Sequence, residues 1–154
     1  MNRSLDLFRI FEADCCNKGH AEVVKWLIQK RSSNNIFRED HNFQHTFRSV
    51  CLKGHLAIAQ SLIEVLLSQQ KFPIVMTDKE YFYLSCVNGH LMVAQWLAQI
   101  NQIHGWDLID LTDDQLFLES YANGHLEVFN WLIEYSKTKG YVLPKVVKNL
   151  IKKN

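Results

Sequence analysis

The sequence predicts an all-α protein built as a solenoid of stacked helix–turn–helix repeats. A glycine–histidine pair occurs four times, at Gly19, Gly54, Gly89 and Gly124, and successive glycines are 35 residues apart. Each pair is followed by apolar residues at helical spacing, as in Gly124-His-Leu-Glu-Val-Phe-Asn-Trp-Leu-Ile133. A fixed period of this length is typical of solenoids whose repeats contain two short elements each.

Composition limits the classes of protein that this sequence can encode. A chain of 154 residues with 47% hydrophobic content is the size of one domain with its own core. The 17 basic and 16 acidic residues nearly balance, so the total charge gives no attraction to nucleic acid or to an anionic membrane. No apolar run is long enough to cross a bilayer, and acidic residues stand where an export signal would be apolar. We expect one domain over 1–154, with repeats at about 7–41, 42–76, 77–111 and 112–143 and a C-terminal cap over 144–154.

The first repeat shows how each pair of helices is specified. Apolar residues at three- and four-residue steps predict a helix over about the first 17 residues, with Ser4 or Asp6 as its cap. Gly19 ends that helix, because glycine adopts a positive φ without a Cβ clash. A second helix is predicted at about 22–30, and so short a turn requires the two helices to run antiparallel.

The later repeats keep this order but have different connections. Residues 31–40 are polar, whereas residues 71–76 are apolar and extended. Repeat 2 resumes near Asn42, and its second helix is predicted to extend toward Gln70. The segments Thr77-Asp-Lys-Glu80 and Thr112-Asp-Asp-Gln115 lie one period apart, and each predicts a capping box at a helix start.

The C-terminal segment is predicted to be a helix that closes the array. Pro144 is expected at its first position. Lysines occupy one side of this helix, and its other side carries Val146, Val147, Leu150 and Ile151. A solenoid end needs one face against the last repeat and one face in water.

The cysteines are predicted to be buried thiols. Cys16, Cys51 and Cys86 share one repeat position, and Cys15 precedes the first of them. Helices pack about 10 Å apart, whereas a disulfide needs Cα atoms within about 7 Å. We therefore expect small core thiols in a reducing compartment, with Cys15 as the candidate for exposure.

The repeated cassette resembles the second half of the ankyrin repeat, whose core reads Gly-His-Leu-Glu-Val-Val-Lys-Leu-Leu-Leu. The resemblance covers four repeats, roughly residues 7–137. The family's Thr-Pro-Leu-His opening is missing, and only its apolar third residue persists, as Phe47, Phe82 and Phe117. The Gly-Ala-Asp-Val-Asn of the family's hairpin finger is also absent, so we expect irregular loops. A tetratricopeptide array has a similar period but lacks the glycine–histidine turn.

The resemblance implies an ankyrin-type helix-turn-helix repeat solenoid with a C-terminal capping helix. In that family the first helices and the fingers line a concave face that binds partner proteins. The implied activity is recognition of another protein without catalysis.

Enzyme chemistry is not indicated by the residues themselves. The turn histidines are about 10 Å apart, too far to share a metal ion whose bonds to nitrogen are about 2 Å. We predict that His20, His55, His90 and His125 bond local backbone or set the start of the second helix. The sequence holds no Cys-x-x-Cys pair, phosphate loop, His-Glu-x-x-His or nucleophile elbow. We expect no catalytic residue, metal, cofactor or small-molecule substrate.

A stripe on the first helices is the predicted partner-binding site. Positions ten, six and two residues before each turn glycine vary between polar and apolar residues, and their i, i+4, i+8 spacing places them on one side of a helix. Such mixed chemistry outside the core is typical of binding surfaces. With flanking turn residues, the predicted set is Arg9, Asn17, Lys18, Gln44, Arg48, Leu52, Lys53, Lys79, Tyr83, Val87, Asn88, Asp114, Leu118 and Asn123.

Alternative interpretations stay open for several apolar residues. Leu52, Tyr83 and Leu118 would be equally well explained by packing against the connecting loops. Trp106, in a loop, is a candidate contact residue. Three tryptophans share one second-helix position and are predicted to lie in the core between repeats: Trp26, Trp96 and Trp131.

We expect a monomeric, cytoplasmic protein–protein interaction module. The abundance of Asn, Ile, Lys and Phe suggests an AT-rich genome, and small divergent ankyrin arrays look like effectors that intracellular bacteria or large viruses use on host proteins, which would place this one in a host cytosol. One alternative is a scaffold or inhibitor in its own cell. Another is a weak nucleic-acid binder that uses Lys145, Lys148, Lys152 and Lys153 to contact phosphates.

Overall fold

The computed structural model describes residues 14–16, 18–32, 41–68, 78–106 and 108–152, with only the backbone for residues 27–32, 41 and 42. All regular secondary structure in these residues is helical, which confirms the all-α prediction. None of the described helices is long and apolar enough to cross a membrane. The predictions for the first helix, for both early connections and for Thr77, Arg9 and Asn17 lie outside the described residues.

The chain divides into two compact units, 1–76 and 77–154, and the division falls between the predicted repeats 2 and 3. In the first unit, residues 14–16 are helical, and three helices follow: α1 (Ala21–Ser32), α2 (His41–Lys53) and α3 (Leu56–Ser68). Helix α3 packs against both α1 and α2. The second helices of repeats 1 and 2 are therefore neighbours in space.

The second unit contains five helices: α4 (Glu80–Val87), α5 (Leu91–His104), α6 (Asp114–Ala122), α7 (Leu126–Thr138) and α8 (Lys145–Ile151). Helices α4 and α5 form one packed pair, and α6 and α7 form the other. Helix α4 also packs against α6, so the first helices of repeats 3 and 4 lie side by side. Helix α8 packs on α6, the first helix of repeat 4.

Each repeat turn ends its first helix in the same way. In repeat 3, Gly89 has φ 77° and its N–H donates to the carbonyl of Cys86, while the N–H of His90 donates to the carbonyl of Ser85. This pair of bonds is a Schellman motif, which satisfies carbonyls that the end of a helix leaves without partners. The same two bonds recur at the other three turns, as the 35-residue period predicts.

The core is built from the apolar columns that the period identifies. Phe47, Phe82 and Phe117 are at most 1% exposed. All four cysteines are buried free thiols, as predicted, but the exposure expected for Cys15 is wrong, since it is 4% exposed. Burial raises the pKa of the Cys86 thiol strongly, which makes it a poor nucleophile.

The capping box predicted from Thr112 is displaced by one residue, and the one predicted from Thr77 begins outside the described residues. The side chain of Asp113 caps α6 by accepting the N–H of Gln115 at 2.9 Å, and Thr112 instead donates its hydroxyl to Asp110. Asp78, one period earlier, accepts the N–H of Glu80 at 2.9 Å. A carboxylate is the stronger acceptor, and its charge is stabilised at a helix N-terminus.

The predicted amphipathic cap is only partly buried. Val147 of α8 is fully buried, but Val146 and Ile151 are 42% and 44% exposed. Pro144 takes the position just before the helix instead of its first position. Helix α8 has seven residues and buries Val147, so the apolar residues on either side of Val147 keep contact with solvent.

The three tryptophans at one repeat position have different environments. Trp131 packs across the repeat boundary, with its ring 6.1 Å from that of Phe82, and stacks on Tyr135 at 5.1 Å. Trp96 is half-buried. The prediction for Trp26 is wrong, because this side chain is 55% exposed. Equivalent positions in a repeat are not equally covered.

Candidate functional site

In the first unit the predicted stripe follows helix α2. Arg48 and Lys53 are exposed, while Gln44 and Leu52 are half-buried. Lys18, in the preceding turn, is exposed and lies 2.8 Å from a carboxylate oxygen of Asp14. This part of the stripe is therefore a basic surface with one half-buried leucine.

In the second unit the stripe occupies the adjacent helices α4 and α6. Lys79 and Asp114 are exposed near the helix starts, and Tyr83 and Leu118 are half-buried in the middle. The predicted exposure of Val87 is wrong, because this residue is 7% exposed. Its backbone carbonyl accepts a hydrogen bond from Asn123 of the next turn.

The turn asparagines of the predicted set make structural hydrogen bonds. The Asn123 side chain donates to the carbonyl of Val87 at 2.8 Å and so joins the turn of repeat 4 to repeat 3. The Asn88 side chain donates to the carbonyl of Leu84 in its own helix, also at 2.8 Å. Binding roles for these two residues would have to compete with these bonds.

A carboxylate-centred cluster joins the two first helices. The side chains of Tyr83 in α4 and Glu119 in α6 are close enough for each to shift the pKa of the other, and Gln115 donates to Glu119 at 2.6 Å. The sequence analysis did not select Glu119, because it lies one position outside the stripe. The i, i+4 spacing of Gln115 and Glu119 was the available signal.

An ion pair lies on the same surface, near the helix starts. Lys79 Nζ lies 3.4 Å from Asp110 Oδ2, and both side chains are partly exposed. Hydrogen bonds from Thr112 lower the pKa of Asp110, and Lys79 lowers it further. The loop that precedes α6 is thereby attached to the start of α4.

The turn histidines have a role that the sequence analysis missed. The ring of His125 lies over Gly89, so that a Cβ added at Gly89 would be 2.8 Å from His125 Cγ. In the first unit, a Cβ at Gly19 would be 2.8 Å from His55 Cε1. His90 takes the position just before α5, where its backbone carbonyl accepts the first N–H groups of the helix and its side chain makes no capping hydrogen bond, so the backbone role expected of the histidine side chains stays a prediction. The added role is that His55 and His125 each pack on the turn glycine of the repeat before them, within their own unit.

The most exposed large apolar side chains lie outside the stripe. Met92 and Ile103 of α5 are 63% and 65% exposed, and Leu126 of α7 is 53% exposed. Leu52 and Leu118, the leucines of the stripe, are less exposed than these residues and lie half-buried. No sequence signal separates Leu126 from the half-buried Leu91 of repeat 3, since both have the same repeat position and residue type.

The Tyr83–Glu119 bond predicts an unusual tyrosine titration. Loss of solvent contact, followed by the hydrogen bond to Glu119, raises the pKa of Tyr83 to about 12. The bond to Tyr83 in turn lowers the pKa of Glu119. We expect ultraviolet difference titration to show a tyrosine ionising near 12 that is absent in Tyr83→Phe and titrates earlier in Glu119→Gln.

The same pair predicts how stability depends on pH. A raised folded-state pKa means that the Tyr83 contribution is complete below the unfolded value of 10 and is lost as pH rises toward 12. A lowered folded-state pKa means that the Glu119 contribution is present above its unfolded value and is lost as pH falls through the folded one. An alkaline unfolding midpoint identical in wild type and Tyr83→Phe would contradict this coupling.

The described surface of the second unit combines several kinds of side chain. Among the described side chains no three His, Cys, Asp or Glu residues gather as a metal site would require. What the second unit presents on α4 and α6 is a surface of charged, amide, phenol and aliphatic groups, held by the Tyr83–Glu119 and Lys79–Asp110 contacts.

Comparisons of this chain with protein-family models, with curated proteins and with solved structures found no match. The ankyrin resemblance therefore stays a prediction that depends on the repeated cassette and on the turn.

Proposed function

We propose that this chain is a divergent ankyrin-type solenoid that binds a partner protein through the first-helix stripe, without catalysis. The observation that carries the proposal is the side-by-side packing of α4 and α6, which places Tyr83 and Leu118 on adjacent helices, one turn from the charged groups of Lys79 and Asp114 at the helix starts. Protein interfaces combine an apolar or aromatic centre with a polar rim in this way.

Preorganisation supports the stripe as a binding surface. Tyr83 lies near Glu119, and Lys79 Nζ lies 3.4 Å from Asp110 Oδ2, so these neighbours limit the side-chain rotamers that remain to be fixed when a partner docks. The sites in the second unit that we assign to partner contact are Lys79, Tyr83, Asp114 and Leu118. Val87 is removed from the predicted set because it is buried.

The cellular role follows from the partner. We propose an effector that acts on a host protein in the host cytosol, with a scaffold or inhibitor in the protein's own cell as the alternative. Both roles use the same surface, and they differ only in whether the bound protein belongs to a host or to the protein's own cell.

The experiment is affinity capture from lysates with two matched variants. Leu118→Ser changes the stripe, and Ile103→Ser changes an apolar residue that is more exposed but lies on α5. We expect a protein that is captured by wild type and by Ile103→Ser and is lost with Leu118→Ser. The purified partner should then bind at least about tenfold more weakly to Leu118→Ser in calorimetry, since interface hot spots cost about 2 kcal/mol or more.

Circular dichroism of each variant keeps this test interpretable. Retention of the partner by a folded Leu118→Ser chain, with loss by Ile103→Ser, would move the site to the second helices. Capture of the partner by both folded variants would contradict the stripe assignment.

A further inference from the structure

The C-terminal segment carries a concentration of positive charge that the balanced total conceals. From Tyr135 to Asn154 the sequence has six lysines and no acidic residue, whereas from Thr77 to Glu134 it has nine acidic residues and one lysine. Charge in the second half of the chain is therefore separated into an acidic repeat pair and a basic end.

The lysines of α8 are not used to neutralise these acidic repeats. Helix α8 packs on α6 through the fully buried Val147. Lys145, Lys148 and Lys152 have i, i+3, i+7 spacing and lie on the opposite side of the helix, where all three are exposed. None of them forms an ion pair with a described residue. The lysine row is thus available to an external anion.

Exposed apolar side chains lie close to the lysines of this row in the sequence. Val142 is 80% exposed and Tyr141 is 45% exposed, just before the helix, and Ile151 is 44% exposed next to Lys148 on the helix surface. Phosphates of a nucleic acid would leave these side chains in water. The headgroup region of a bilayer accepts both kinds of group, because apolar side chains enter the acyl boundary while lysines remain at the anionic surface.

We propose that residues 141–152 form a peripheral docking surface for a bilayer that contains anionic phospholipids. The lysine row contacts the headgroups, and Val142 and Ile151 insert beside it. Residues 141–152 alone attach the protein to the bilayer, and the partner-binding stripe on α4 and α6 is not involved.

The test is cosedimentation of the full chain with phosphatidylcholine vesicles, with and without phosphatidylserine, at low and at physiological salt. We expect binding only to the anionic vesicles, and weaker binding as salt screens the lysines. Lys148→Gln/Lys152→Gln should weaken binding by about tenfold or more, since each lysine near an anionic surface contributes about fivefold. The charge-matched control Lys25→Gln/Lys30→Gln, in α1, should bind like wild type.

A second variant separates lipid from nucleic acid. Val142→Ser/Ile151→Ser keeps every lysine, and we expect it to bind anionic vesicles about fivefold more weakly or worse. Equal binding of neutral and anionic vesicles, equal losses in the two lysine variants, or no binding at low salt would overturn the proposal. Tight binding of duplex DNA that ignores Val142→Ser/Ile151→Ser, with vesicles unbound, would reassign the lysines to phosphate contacts.

Discussion

Leu97→Ala is expected to lower the free energy of unfolding by about 2–5 kcal/mol, the range for a cavity left by a deleted core leucine. Leu97 lies in α5 and is fully buried, as is Leu132 one period later in α7. The substitution keeps the helix propensity high, so the loss reports packing and not the helix itself. The same helix supplies the control, because Ile103 is 65% exposed. Ile103→Ala should stay within about 0.5 kcal/mol of wild type.

Urea unfolding followed by tryptophan fluorescence provides the measurement. Three of the four tryptophans, Trp96, Trp106 and Trp131, belong to the second unit, so the signal reports mainly the unit that contains Leu97. A midpoint shift at constant slope isolates the change in stability. Similar losses in Leu97→Ala and Ile103→Ala would mean that α5 does not present the buried face described here.

Much of the fold could be predicted because the period repeats a local cause. A turn that needs positive φ selects glycine at each occurrence, and the Schellman bonds follow from the backbone alone. The column of Phe47, Phe82 and Phe117 stays apolar because each member is buried at the same repeat position. These features recur with the same local sequence, and a recurring local sequence is what the periodic pattern displays.

The candidate site was harder to predict because exposure depends on the next repeat. Val87 and Ala122 share one position, yet only Val87 is buried, and the Asn123 side chain of the following repeat donates to the Val87 carbonyl. Leu91 and Leu126 also share one repeat position, yet Leu91 is half-buried and Leu126 is exposed. A periodic pattern makes such residues equivalent, whereas their neighbours are not. The Tyr83–Glu119 bond likewise joins two repeats and has no signature within either.

Gly89→Ala is expected to be much more damaging than Gly124→Ala, although both glycines have the same left-handed φ. At Gly124, with φ 81°, no atom lies within 4 Å of an added Cβ, so the cost is backbone strain of about 1–2 kcal/mol. At Gly89, with φ 77°, the added Cβ would also be 2.7 Å from His125 Cε1 and 2.8 Å from Cγ. Overpacking of this kind adds about 1–3 kcal/mol, because the ring or the turn must move.

The double variant Gly89→Ala/His125→Ala tests whether the histidine ring is the cause. Removing the ring should reduce the cost of Gly89→Ala, measured against His125→Ala, to roughly the cost of Gly124→Ala in wild type. An unchanged cost would show that strain in the backbone accounts for the whole effect and that His125 does not pack on Gly89. A reduced cost would establish that repeat 4 is seated on repeat 3 by a contact between a histidine and a glycine, the two residue types that recur together every 35 residues.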